Sequence, residues 1–168
     1  MKYFYVIVVF FFSVSAEAQD CSTAMHASAP QNRFIVQGDE VLDIATGLVW
    51  SRCLLGQSGA TCHDGVANIL NWKDALNAVK AVRDSTGVDW RLPNIKEMQS
   101  IVEQKCFSPA VNLAVFPNTL FDRLHWTSTS RASYKSYAWA LDFDSGIHNL
   151  IYKSGSTSLF YVRMVRDR

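Results

Sequence analysis

The chain is short of charge. Lys and Arg number 16, Asp and Glu number 15, and the formal net charge is +1. A general nucleic-acid binder shows a strong basic excess, so this balance argues against that class. The sequence has no C-x-x-C pair, no H-E-x-x-H pattern and no G-x-S-x-G elbow. The usual local signatures of zinc sites and serine hydrolases are therefore missing. Internal repeats and low-complexity tracts are absent as well. Past the opening residues no stretch is long and apolar enough to span a bilayer, which takes about 20 residues.

What is present begins with the first 18 residues. Met1-Lys2-Tyr3 is a short basic head, Phe4 to Phe12 is apolar and uncharged, and Ala16-Glu17-Ala18 is an A-x-A site. That order predicts a cleavable secretory signal, cut after Ala18. The apolar run is too short for a membrane anchor. Cys21 lies close enough to the cut to raise a lipoprotein, but Ala18-Gln19-Asp20 lacks the small residues expected before a lipidated cysteine. The expected plan is a signal peptide at 1–18, an N-terminal arm at 19–32 and one domain at 33–168. Export to the periplasm, cell surface or medium follows, with no transmembrane segment in the mature chain.

Cys21, Cys53, Cys62 and Cys106 all fall after the expected cut. An even number in an exported chain reads first as disulfides. Three pairings are open to four cysteines. Cys53 and Cys62 are close, with Gly56, Ser58 and Gly59 between them, so a local loop is the easiest closure, and Cys21 would then tie the arm to Cys106. The rival is a zinc site using His63, against which the cysteine spacing weighs.

The arm lacks periodicity. Phe34-Ile35-Val36 and Val41-Leu42-Asp43 flank the turn Gln37-Gly38-Asp39-Glu40, and Ala45-Thr46-Gly47 leads into Leu48 to Arg52. Short strands joined by tight turns predict an antiparallel meander. A helix is expected after Asn71, with Trp72, Ala75, Leu76, Val79 and Val82 on one side, ending at Asp84 to Gly87. A second follows Pro93, because Asn94 and Glu97 have capping-box spacing, and Ile95, Met98, Ile101 and Val102 make its apolar face. Phe107 to Phe121 settles into neither period and reads as a packed loop. Strands are then expected at His125 to Ser128, Tyr137 to Phe143, Ile147 to Tyr152 and Phe160 to Val165. Strands, two helices, then strands make an α+β domain.

Several ordered motifs carry a family resemblance. They are Gly38-Asp39, Val41-Leu42-Asp43, Ala45 to Cys53, Gly56-Gln57 before Cys62, Asp89-Trp90-Arg91-Leu92-Pro93-Asn94-Ile95-Lys96-Glu97-Met98, Trp126 to Thr129, Trp139 to Phe143 and Val162 to Arg166. Over about residues 33–168 the chain resembles the Lcl C-terminal domain family, DUF1566. The resemblance implies a C-type-lectin-like fold of the formylglycine-generating-enzyme branch: two helices packed on a twisted antiparallel sheet. It also implies an exported bacterial protein. The family's named member is a collagen-like adhesin linked to sulfated glycosaminoglycans; this chain has no Gly-X-Y tract, so a stalk does not carry over. Formylglycine-generating relatives use late reactive cysteines, whereas the last one here is Cys106. The calcium-binding triplets of sugar-binding C-type lectins are missing too.

The chemistry left to weigh is mostly cationic. From residue 121 onward Arg123, Arg131, Lys135, Lys153, Arg163, Arg166 and Arg168 outnumber Asp122, Asp142, Asp144 and Asp167, with Tyr134, Tyr137, Tyr152 and Tyr161 interleaved. Arginine forks bind sulfate and carboxylate, and aromatic rings stack on sugar faces. Arg131, Tyr134, Lys135, Tyr152 and Lys153 are the expected ligand-binding set, while Arg163 and Arg166 also read as sheet-bracing. Arg91 reads as structural, pairing with a carboxylate such as Asp89 or Asp142. His125 reads as packed or surface. Asp142 and Asp144 offer oxygens for calcium but equally make a hairpin turn, and calcium takes 6–8 ligands. No metal or cofactor is expected. The function expected is non-catalytic recognition of acidic or sulfated glycans. The alternative is a protein-interaction or ligand-display module of the envelope. An enzyme ranks third.

Overall fold

The structure is a computed structural model that describes residues 19–168. The signal peptide expected at 1–18 lies outside the described residues. In chain order the elements are β1 Asp20–Cys21, a 3-10 turn Gln31–Arg33, β2 Phe34–Gln37, β3 Glu40–Asp43, β4 Leu48–Ser51, β5 Gln57–Ser58, β6 Asp64–Gly65, α1 Trp72–Thr86, α2 Ile95–Ser100, β7 Cys106–Phe107, β8 His125–Arg131, β9 Tyr134–Leu141, β10 His148–Tyr152 and β11 Val165–Asp167. The class is α+β, as expected. Its sheets are several and small: a four-stranded one ordered β11-β4-β3-β2, a three-stranded one ordered β10-β9-β8, and two two-stranded ribbons, β1-β7 and β5-β6. All the strand pairs are antiparallel.

Local chemistry explains the elements. Gly38 takes φ 59° in the two-residue link between β2 and β3, a left-handed position where glycine has no Cβ to clash. Asn71 accepts a hydrogen bond from the Asp74 backbone to open α1, and Gly87 ends it at φ 70°. At α2 the expected capping box is complete: Asn94 Oδ1 accepts from the Lys96 and Glu97 backbones, and Glu97 accepts from the Asn94 backbone. Both disulfides join the expected pairs, Cys53–Cys62 and Cys21–Cys106. Cys21 also faces Cys106 directly across the β1-β7 ribbon. Closures of this kind stabilise by about 2–4 kcal/mol.

The arm docks although it lacks periodicity. Gln19 Nε2 donates to the carbonyls of Pro109 and Val111, and Glu103 accepts from the Ser28 and Ala29 backbones. Among the described residues two large apolar cores result, beside a small cluster of Leu54, Ala67 and Tyr161. One gathers Phe34, Val41, Trp50, Met98, Phe116 and Phe143 between the four-stranded sheet, α2 and the long loop. The other gathers Val49, Ala75, Val79, Trp90, Trp126 and the alanines of β9 between α1 and the three-stranded sheet. Each fully buried apolar side chain contributes about 1.5–3 kcal/mol of transfer free energy.

On β9 Ala138 and Ala140 turn into one core, Tyr137 and Trp139 lie on the other face, and Leu141 at the strand's end is fully buried in the other core. Trp126 of β8 lies opposite Ala140, and its buried indole fills the space the small methyls leave. Phe160 to Val165 is not one strand. Phe160 bridges Leu70, Tyr161 bridges His125, and the strand proper is β11, paired with β4. The segment crosses between sheets, so no single ladder can hold it.

Candidate functional site

The outer face of the three-stranded sheet carries a row of rings. A two-residue link joins β8 to β9 and sets Arg131 opposite Tyr134. The Arg131 guanidinium carbon lies 4.9 Å from the Tyr134 ring centre. Tyr134 meets Tyr137 edge to face at 6.5 Å, and Tyr137 meets Tyr152 at 5.5 Å. The last pair is a direct cross-strand register pair of β9 and β10, so the two rings share one face. Trp139 and His148 continue the row at 5.1 Å. Tyr134, Tyr137 and Tyr152 are 58%, 36% and 49% exposed. Arg131, Tyr134, Tyr137 and Leu150 line a shallow recess of about 370 Å³.

Four of the five expected residues thus lie at or beside this face. Arg131, Tyr134 and Tyr152 are joined in it through Tyr137, which the expected set omitted. The signal for Tyr137 was its period-two spacing from Lys135 and Trp139, which places all three on one side of a strand. Lys135 is exposed at the strand's start but does not line that recess. Among the described residues neither Arg131 nor Lys135 makes an ion pair or a side-chain hydrogen bond.

Lys153 goes elsewhere. It follows Tyr152 and turns to the α1 side, where its ammonium lies 3.7 Å from the centre of the Trp72 ring. It also donates to Ser130 Oγ at 2.6 Å. Burial draws its pKa below the ordinary lysine value. The Trp72 indole is fixed by its Nε1–H, which donates to the Thr127 carbonyl at 2.8 Å. Beside this pair runs a groove of about 480 Å³.

Three further cations are structural. Arg163, fully buried, donates to the carbonyls of Ser51 and Arg52 and to Thr119 Oγ1 at 2.9, 2.5 and 2.8 Å. Burial without a carboxylate partner pulls its pKa down to about 9. Arg166 reaches Glu40 at 2.6 Å. Arg91 braces as expected but with different partners: Glu97 at 2.8 and 2.9 Å, and Asp167 at 3.0 Å. Asp89 instead faces Arg83 at 3.6 Å. The capping carboxylate of α2 sits within reach of Arg91, so one residue joins α2 to β11. Tyr161 is buried, with its hydroxyl on Asp122, and takes no part in the outer row.

His125 is packed. It is enclosed by Phe143 and Tyr161, and its Nε2–H donates to the Leu120 carbonyl at 2.8 Å. Burial, with a smaller contribution from the Arg163 charge, pushes its pKa down to about 3. Asp142 is occupied as a turn former, accepting from the Asp144 backbone and from Ser145 Oγ, while Asp144 accepts from Ser108 Oγ. Among the described residues no group of three His, Cys, Asp or Glu is arranged to hold a metal ion, and no helix is long and apolar enough to cross a membrane.

Comparison with known families gives one match: the model described as the Lcl C-terminal domain covers residues 39–166. No curated protein matches the chain.

Proposed function

The chain belongs to the Lcl C-terminal domain family, and on that footing we infer that it is an exported, non-catalytic recognition domain whose outer sheet face binds acidic or sulfated glycans. The observation that carries this reading is the exposed row Tyr134–Tyr137–Tyr152 with an arginine beside it that has no acidic partner among the described residues. Rings of this kind offer flat apolar area to a sugar face at low entropic cost, while the guanidinium fork grips sulfate or carboxylate through two parallel N–H bonds. Two disulfides suit an oxidising compartment outside the cytoplasm. A C-type-lectin-like fold is part of the same reading; two helices set against antiparallel sheets and stapled by disulfides support it.

The test is a glycan array probed with the purified, oxidised protein at low and physiological salt. The expected result is selective binding to sulfated or uronic-acid glycans that weakens as salt rises. It should also weaken in Arg131→Ala and Tyr137→Ala proteins that still fold. A blank array from folded protein removes the glycan reading. The protein-partner alternative draws on Ile147, 60% exposed in the link between β9 and β10, as an apolar contact. A blank array would leave that alternative standing, to be pursued by crosslinking in the cell envelope.

A further inference from the structure

The groove on the α1 side of the sheet differs from the outer face in chemistry. Trp72, Lys73, Lys153, Ser154, Ser156 and Leu159 line it, and no carboxylate is among its lining residues. The nearest acid in sequence, Asp74, is already held by Asn71 Nδ2 at 2.6 Å. An ammonium has three donors. Lys153 directs one to Ser130 and rests on the indole face, which leaves donor capacity toward the groove. Contact with the indole stabilises the cation and fixes its position, and the indole itself is pinned by Thr127. The lysine is thus held in place without an anion to neutralise it. Lys73 adds a second positive charge, and Ser154 and Ser156 supply hydroxyls that no other side chain engages among the described residues.

We propose that this groove is a second binding site, separate from the outer face, that takes an oxyanion (carboxylate or sulfate) carried on a small hydrophilic ligand such as a sugar acid. The oxyanion accepts from Lys153 Nζ, with Lys73 adding attraction, and the ligand's body lies along the exposed edge of Trp72 toward Leu159. The partial desolvation that lowers the Lys153 pKa also strengthens a hydrogen bond from its ammonium, because fewer waters compete. Arg131 at the end of β8 and Lys153 just past β10 lie at one end of the three-stranded sheet, the first against Tyr134 and the second against Trp72. Removing either should therefore leave the other site intact.

The experiment follows the Trp72 indole N–H signal in the nitrogen–proton spectrum of the whole protein, assigned with Trp72→Phe. Three probes are titrated: inorganic sulfate, galacturonate and neutral galactose. The expected result is a saturable shift of the Trp72 signal with galacturonate and none with galactose. Sulfate shifting the signal as strongly as galacturonate supports a bare oxyanion site; tighter galacturonate binding supports added contact with the sugar ring. Lys153→Gln should weaken binding about tenfold or more, the size of one lost charge-assisted hydrogen bond. Lys73→Gln should weaken it less, and Arg131→Ala should leave it unchanged. The proposal is overturned if galactose binds as well as galacturonate, if Lys153→Gln binds as the parent does, or if Arg131→Ala abolishes the Trp72 response. A silent Trp72 alongside binding that depends on Arg131 would sink this site and leave the outer-face reading in place.

Discussion

On the four-stranded sheet, Arg33 donates to Asp43 at 2.7 and 2.5 Å, Arg166 reaches Glu40, and Arg91 spans Glu97 and Asp167. Arg163, between the cores, spends its guanidinium on two carbonyls and a hydroxyl. The three-stranded sheet treats its cations differently. Arg131 lies against a tyrosine, Lys135 stands in solvent, and Lys153 rests on a tryptophan. Residues of the same type thus hold the fold in one region and remain available in the other. A count of positive charge along the sequence cannot separate the two groups; the location of their oxygen partners does.

The largest break in that comparison should come from Arg163→Ala. It removes hydrogen bonds from buried carbonyls and leaves a void beside Phe116, so a loss of about 4 kcal/mol is expected by urea unfolding. A loss under about 1 kcal/mol would mean the clamp is dispensable and the sorting of cations wrong. Asp43→Ala comes next. This carboxylate is fully buried and accepts from Arg33, Thr46 Oγ1 and the Ala45 backbone. Burial acts to raise its pKa, but these hydrogen bonds and the Arg33 charge outweigh that and hold it below the ordinary 3.8. Removing it strands Arg33, and about 3 kcal/mol should be lost. Its stabilising contribution is present above the unfolded-state value and fades as pH falls through the lower folded-state value. A urea midpoint unmoved by Asp43→Ala would show that Arg33 finds another partner.

How far the sequence revealed this division depends on the range of the interaction. Both helix caps, the β2–β3 turn and the Cys53–Cys62 loop were legible because each is decided within about ten residues by turn chemistry and capping spacing. The ribbons β1-β7 and β5-β6 were not. A two-residue strand has no periodicity to read, and β1 pairs only because a segment 85 residues away, tied to it by Cys21–Cys106, lies beside it. Arg91 shows the same limit. Its structural role was readable from the adjacent helix cap, yet its partner Asp167 is set by β11 lying beside Arg91, a contact the expected long terminal strand obscured. At the candidate site, Tyr134 and Tyr152 were visible as residue types, while the register pair Tyr137–Tyr152 had to be placed by the sheet. Lys153 was grouped with Arg131 and Tyr152 as part of one basic, tyrosine-rich C-terminal third, although it follows Tyr152 directly and neighbouring residues on a strand face opposite ways.

His125 sharpens the comparison through pH. It is neutral and buried when folded, with its pKa pushed to about 3, against an ordinary 6.5. The unfolded chain therefore binds a proton that the folded one refuses between those values. Stability is full above pH 6.5 and declines as pH falls toward about 3, by up to about 1.4 kcal/mol per unit. The decline should begin well before carboxylates protonate. Urea midpoints that stay flat from pH 7 to about 5 would show that His125 accepts a proton without cost, and hence that water reaches the junction where it sits.

The smallest effect on stability should be the most informative. Arg131→Ala is expected to shift the unfolding free energy by no more than about 0.5 kcal/mol, since an exposed side chain without an ion-pair partner contributes little to folding. The same substitution should weaken binding to a sulfated glycan about tenfold, the worth of a charge-assisted contact. Tyr137→Ala should behave similarly, because its ring is exposed and its strand is held by β8 and β10 on either side. The pairing of outcomes matters more than either alone. If Arg131→Ala costs as much stability as Asp43→Ala, its contact with Tyr134 is a brace, and the three-stranded sheet uses its cations as the four-stranded one does. If stability holds while binding falls, the two regions divide the work: one sheet neutralises its cations to hold its shape, and the other leaves them uncommitted because a ligand completes them.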